Sequence, residues 1–252
     1  MPARHDGRFS WVPHVLLFSK ILLSPILLLQ GRRVRATALR LPEAAGLRSG
    51  VEGGDFAGAP LRLLVMGDSS AAGVGVPMQE QALAQPLAQQ LAKRLSRPVA
   101  WQLLAQSGVD TAEVLALADD ATMQPADVLV TALGVNDVTG QCDAHRFIAN
   151  YRRLLDAMRS RGGIRLFVAN GLPPMHLLPA LPQPLRWYLG QCAFRLDHAL
   201  KGWLGTLPEA RYLSLHWGEG GDVADDGFHP GPVQYRLWAG KLAETIAESG
   251  LA

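Results

Sequence analysis

From residue 61 onward, two hydrophobic periods alternate along the chain. Short apolar runs at about 61–66, 98–105, 127–133, 164–169 and 211–215 are bounded by turn residues, the pattern of buried strands. Between and after them lie helical stretches at about 79–95, 111–119, 143–160, 185–203 and 232–248. In the first of these, Leu83, Leu87, Leu91 and Leu95 recur at spacing four, with Pro86 placed to kink it. In the fourth, Trp187, Phe194, Leu200 and Leu204 fall near one face. Strands alternating with helices predict a three-layer α/β/α fold with a five-stranded parallel sheet covered on both sides. Right-handed crossovers favour a flavodoxin-like, doubly wound order such as 2-1-3-4-5. That order makes the first and third strands neighbours at the topological switch point.

The sixty residues before this pattern read differently. Trp11 to Leu29 is the most apolar stretch, about 28 Å long as a helix. Lys20 near its middle costs roughly 3 kcal/mol in a bilayer centre and argues against spanning. Pro13, Lys20, Ser24 and Gly31 share one helical face, giving a narrow polar stripe opposite a wide apolar side. Such a helix lies in a membrane interface or docks on the protein. Arg4 and Arg8 before the run and Ala36-Thr37-Ala38 after it echo a secretory signal, but Arg32, Arg33 and Arg35 intervene where a cleavable peptide is uncharged. If the segment spans, the arginines after it place the main domain in the cytoplasm. The expected location is therefore membrane-associated on the cytoplasmic face, with a periplasmic or a soluble cytoplasmic protein as alternatives. Residues 42–60, rich in Gly, Ala and Pro, read as a linker. The expected organisation is an N-terminal apolar helix and basic segment at 1–41, a linker at 42–60 and a main α/β domain at 61–252.

Composition narrows the function classes. Of 252 residues, 48% are hydrophobic and 18% charged, so the chain is globular, and a net charge of +2 without an aromatic-interleaved basic run does not suggest nucleic acid. Cys142 and Cys192 lack metal-ligand spacing and read as free thiols in a reducing compartment. No His/Asp/Glu cluster suggests a metal, and no cofactor is implied.

The candidate chemistry sits at strand ends. Gly67-Asp68-Ser69-Ser70 follows the first strand, Gln106-Ser107-Gly108 the second and Gly134-Val135-Asn136-Asp137 the third. Asp226-Gly227-Phe228-His229 lies between the fifth strand and the last helix. In open parallel sheets, ligands bind at that edge. A serine nucleophile needs a base, the base needs an orienting carboxylate, and the oxyanion needs preorganised donors. Asp226 and His229, three residues apart, can supply orienter and base from one helical turn. The Ser69 N–H, the Gly108 N–H and the Asn136 amide are candidate oxyanion donors. Ser70 and Asp225 are the rival nucleophile and orienter. Asp68 and Asp137 read as loop braces, and His145, His176, His198 and His216 as surface or core histidines.

These four blocks, in this order and spacing, resemble the SGNH (GDSL-type) hydrolase family over about 61–248. The resemblance implies Ser69 as nucleophile, His229 as base, Asp226 as its partner, and Ser69, Gly108 and Asn136 as the oxyanion hole. The second block, Ala105-Gln106-Ser107-Gly108, departs from the family's usual form. The absence of Gly-x-Ser-x-Gly argues against an α/β-hydrolase.

The reading is a serine hydrolase that cleaves carboxylic esters through an acyl-enzyme. The apolar loop 171–184 and the N-terminal run tilt its substrate toward small-molecule or lipid-like acyl esters, with membrane surface contact through residues 11–29. The alternatives are an acetylesterase acting on acetylated sugars and a non-catalytic flavodoxin-like binding domain. The binding domain is disfavoured because Gly73-Val74-Gly75-Val76-Pro77-Met78 lacks the third glycine of a dinucleotide fingerprint.

Overall fold

A computed structural model describes residues 12–119, 123–216 and 222–251. Arg4, Arg8 and Trp11 lie outside them. The chain begins with helix α1 (Val12–Thr37), which runs on past the apolar stretch through the arginines. It is followed by β1 (Ser49–Glu52), β2 (Leu61–Gly67), α2 (Ala84–Leu95), β3 (Val99–Ala105) and the short α3 (Val114–Leu117). Then come β4 (Val128–Ala132), the one-turn α4 (Val135–Thr139), α5 (Ala144–Gly162) and β5 (Leu166–Asn170). Helix α6 (Leu185–Leu204), β6 (Ala210–Leu213) and α7 (Pro232–Ala247) complete it. Leu83 to Leu95 buries its spacing-four leucines save the last, and Pro86 sits in the first turn of α2, where its missing N–H costs nothing.

The sheet has six strands in the order β1-β3-β2-β4-β5-β6. Strands β2 to β6 are parallel and take the expected order. The expectation of five strands is corrected by β1, an edge strand inside the stretch read as a linker. It pairs antiparallel with β3, Ser49 opposite Gln102 and Glu52 opposite Val99. Four residues beside glycines carry too little apolar alternation to announce a strand; pairing with β3 supplies the hydrogen bonds instead. Glu43, just before it, accepts from the Ser107 N–H at 2.7 Å and pairs with Arg48, tying this segment to the loop after β3.

Both faces of the central strands are buried, as their near-continuous apolar sequence requires. On one face Leu61, Leu63, Val65, Leu103 and Val130 pack against α2 and α7. On the other, Leu64, Met66, Leu129 and Phe167 pack against α5 and α6 through Phe147, Tyr151 and Trp203. This two-sided core fixes the strands rigidly and aims their C-terminal ends, with β2 beside both β3 and β4, at a common rim.

Candidate active site

Strand β2 ends at Gly67, where a side chain would meet the Ala132 carbonyl at 2.5 Å. Only glycine allows the ends of β2 and β4 to approach this closely. The chain then turns, leaving Ser69 partly exposed at the rim. Asp68 is turned inward and buried; its carboxylate accepts from the Ser70 N–H at 2.9 Å, which shapes the turn. Burial pushes the Asp68 carboxyl up to about 7, against the Ser70 N–H and with help from the charge of Asp137.

The second half of the site arrives from 160 residues away. Residues 223–230 form a tight loop closed by a bridge between Val223 and Pro230 and by the Ala224 N–H donating to the His229 carbonyl at 2.9 Å. At its tip, Asp226 Oδ1 accepts from the N–H groups of Phe228 and His229, at 2.9 and 3.0 Å. Asp226 Oδ2 lies 2.6 Å from His229 Nδ1, and His229 Nε2 lies 2.8 Å from Ser69 Oγ. The segment is a side-chain-capped turn rather than the helical turn expected from its spacing. The Asp226 side chain is 4% exposed and that of His229 17%. Burial alone would raise the Asp226 carboxyl, but the two backbone N–H groups and the imidazole outweigh it and hold it below the usual carboxylate range. Asp225 is exposed and stands outside this chain of contacts.

Several residues lock the two halves together. Gly75 lies under the Pro230 carbonyl, which a side chain there would meet at 2.3 Å, and its φ of +107° is one that glycine tolerates. The Tyr235 hydroxyl on α7 reaches the carbonyls of Ser70 and Val74, at 2.9 and 2.8 Å. Trp238 Nε1 donates to Asn170 Oδ1 at 2.7 Å, and Asn170 Nδ2 donates to the Thr131 carbonyl at 2.8 Å. Asp222 accepts from the Val233 N–H at 2.9 Å, anchoring the start of α7.

The third side of the rim holds Gly108 and Asn136. Asn136 Nδ2 donates one hydrogen to the Val109 carbonyl at 2.8 Å, which joins its loop to that of Gly108 and leaves the second amide hydrogen. Beneath, Asp137 accepts from the hydroxyl and N–H of Thr111, at 2.6 and 3.1 Å, and Asn150 Nδ2 donates to the same hydroxyl at 3.1 Å. Burial raises the Asp137 carboxyl to about 6 despite these donors. The N–H groups of Ser69 and Gly108 have no hydrogen-bond partner among the described residues.

Two apolar depressions border these groups. The first, about 290 Å³, is lined by Ser69 together with Leu133, Leu177, Leu178, Phe228 and Trp238. The second, about 660 Å³, runs between α1 and α6 to His229. Phe228 lines both, its ring set edge-on to the imidazole at 5.5 Å between centroids. Among the described residues no cluster of His, Cys, Asp and Glu could hold a metal ion.

Sequence reasoning placed Ser69, Asp226 and His229 at one rim, and the structure brings these three into hydrogen-bond contact. It read Asp137 as a loop brace, which its bonds to Thr111 make it, but missed Tyr235, Trp238, Asn170, Thr111 and Asn150. Asn170, as the last residue of a strand, carried a positional signal; the others are tertiary contacts without a local pattern.

The model of the GDSL-like lipase/acylhydrolase family matches residues 65–237. No curated protein matches the chain. Similar folds occur in a lipase from a goat rumen metagenome (20% identity, TM-score 0.59, covering 75% of this chain and 97% of that one). A phospholipase A1 from Streptomyces albidoflavus is also similar (16%, TM-score 0.53, covering 74% and 99%). So is a carbohydrate acetylesterase from Sinorhizobium meliloti (14%, TM-score 0.52, covering 75% and 99%).

Proposed function

Since the chain belongs to the GDSL-like lipase/acylhydrolase family, whose members hydrolyse esters, we propose that it cleaves carboxylic esters of apolar acyl groups through an acyl-enzyme on Ser69. The observation that carries this reading is the unbroken chain from Asp226 Oδ2 to His229 to Ser69 Oγ, at 2.6 and 2.8 Å.

Asp226 holds the proton on His229 Nδ1, which leaves Nε2 as an acceptor toward the serine. Ser69 Oγ attacks the ester carbonyl carbon while its proton passes to Nε2. The carbonyl oxygen, now negative, is met by the N–H groups of Ser69 and Gly108 and by the second hydrogen of the Asn136 amide. The intermediate collapses, the C–O bond to the alcohol breaks, and His229 returns the proton to the leaving oxygen. Water, deprotonated by His229, then attacks the acyl carbon, the C–O bond to Ser69 Oγ breaks, and His229 returns the proton to the serine as the acid leaves. No cofactor enters these steps.

The acyl group belongs in the first depression. At about 30 Å³ per heavy atom, water's share of liquid volume, its roughly 290 Å³ holds a chain of about eight to ten carbons. A series of nitrophenyl esters tests this. The expected result is a kcat/KM that rises with chain length to about C8–C10, and falls to background in Ser69→Ala. Activity confined to acetate overturns the acyl assignment and turns the reading toward acetyl esters.

A further inference from the structure

Helix α1 leaves a wide apolar arc uncovered. On its described residues, Phe18, Ile21 and Leu22 are each 67% exposed, Leu29 is 70% exposed and Ile26 is 48% exposed. At 100° per residue these five fall within one arc of the helix surface. The opposite arc turns Leu27 into the protein, and beside it the polar stripe of the exposed Lys20 with Ser24 and Gly31 lines the open groove that leads to His229. Contact with the body is carried by few side chains, the buried Leu27 and the partly buried Leu23 and Val34. Gln30 reinforces it, donating to the Gln183 carbonyl at 2.7 Å and accepting from the Leu185 N–H at 3.1 Å. A helix kept only for packing would turn its apolar arc inward.

The apolar arc is continuous with charge. Arg32, Arg33, Arg35 and Arg40 follow it and are all exposed, and none is paired with a carboxylate among the described residues. No helix among the described residues is long and apolar enough to cross a membrane. An exposed apolar arc that ends in unpaired arginines complements a surface that is apolar below and anionic above.

We propose that α1 seats the enzyme on an anionic bilayer surface and that the groove behind it passes lipid esters to Ser69. The groove's wall is α1 itself, through Leu27, Leu28 and Val34, and its far end is His229. The helix that meets the bilayer thus also borders the path to the nucleophile. This rests on the ester-hydrolase reading only for the second half of the claim.

The test is flotation of the full chain with vesicles of phosphatidylcholine alone or with about a third phosphatidylglycerol, alongside hydrolysis of a soluble short-chain nitrophenyl ester. The wild type is expected to float with the anionic vesicles and to be released by high salt. The variant Ile21→Glu/Leu29→Glu, altered only at exposed positions away from the groove, should bind at least about tenfold more weakly and keep its soluble-ester rate. Arg33→Gln/Arg40→Gln should weaken anionic binding several-fold, by the loss of two cations near the surface. Failure of the wild type to float, equal flotation with both vesicle types, or undiminished binding by the Glu variant overturns the proposal. Light scattering that shows a dimer abolished by the Glu variant, without flotation, overturns it in favour of a second copy as the occupant. Absence of soluble-ester hydrolysis in the wild type removes the hydrolase reading and leaves the flotation result to decide the membrane seat.

Discussion

Replacing Asp226 by asparagine changes a single atom of the site, and the consequence follows from the hydrogen bonds it makes. Oδ1 accepts two backbone N–H groups, from Phe228 and His229, so an amide must place its oxygen there. Its NH2 group then occupies the Oδ2 position, 2.6 Å from His229 Nδ1. An NH2 group donates, so Nδ1 must become an acceptor and the ring proton moves to Nε2. Nε2–H then points at Ser69 Oγ across 2.8 Å and has no lone pair to take the serine proton. The turn keeps its shape while the base is held in the wrong tautomer. The expected loss is about 10⁴-fold in kcat, or about 5.4 kcal/mol of barrier at 1.36 kcal/mol per decade. The assay is steady-state hydrolysis of a nitrophenyl ester, with thermal melting to show that the variant is folded. A folded Asp226→Asn protein that keeps more than about a tenth of the wild-type kcat would refute the tautomer argument.

The oxyanion side gives a second expectation. Asn136→Ala should lower kcat by about 10²–10³ with little change in KM, because the amide acts on charge that develops only in the transition state; a rise in KM at constant kcat would assign Asn136 to ground-state binding instead. Stability should depend on pH through Asp68. Its folded carboxyl stands near 7 against an ordinary 3.8, with burial the main cause. Below about pH 4 both folded and unfolded chains hold this proton; above that the unfolded chain releases it while the folded one keeps it until about pH 7, so stability falls as pH rises through this window. The interval corresponds to roughly 4 kcal/mol at most. Asp137, raised to about 6, acts in the same direction. Melting curves at about pH 5 and pH 8 should show this decline in the wild type and a shallower one in Asp68→Asn; identical slopes would contradict it.

What the sequence made legible were the features encoded locally or by chain topology. Strands β2, β3 and β4 announce themselves as short apolar runs, β-branched in β4, and right-handed crossovers leave few ways to order them. That order alone brings Ser69, Gly108 and Asn136 to one rim. The pair Asp226–His229 was legible because they stand three positions apart in the sequence, although the turn that joins them proved to be capped by Asp226 itself. The illegible parts depend on distant partners. Strand β1 exists because Val99–Gln102 offers it an edge. Trp238 reaches Asn170 across 68 residues. The stripe of Lys20, Ser24 and Gly31 was readable as a stripe, but which way it faces is decided by the packing of Leu27 and the bonds of Gln30 at the start of α6, not by its own spacing.

The most direct measurement of the central claim is mass spectrometry of the folded protein after exposure to a fluorophosphonate. If the base and hydroxyl aligned at 2.8 Å make Ser69 nucleophilic, the phosphonyl adduct forms on the peptide carrying Ser69, and neither Ser69→Ala nor His229→Ala acquires it. A folded wild-type chain that stays unmodified, or that carries the adduct on Ser70, would contradict the account.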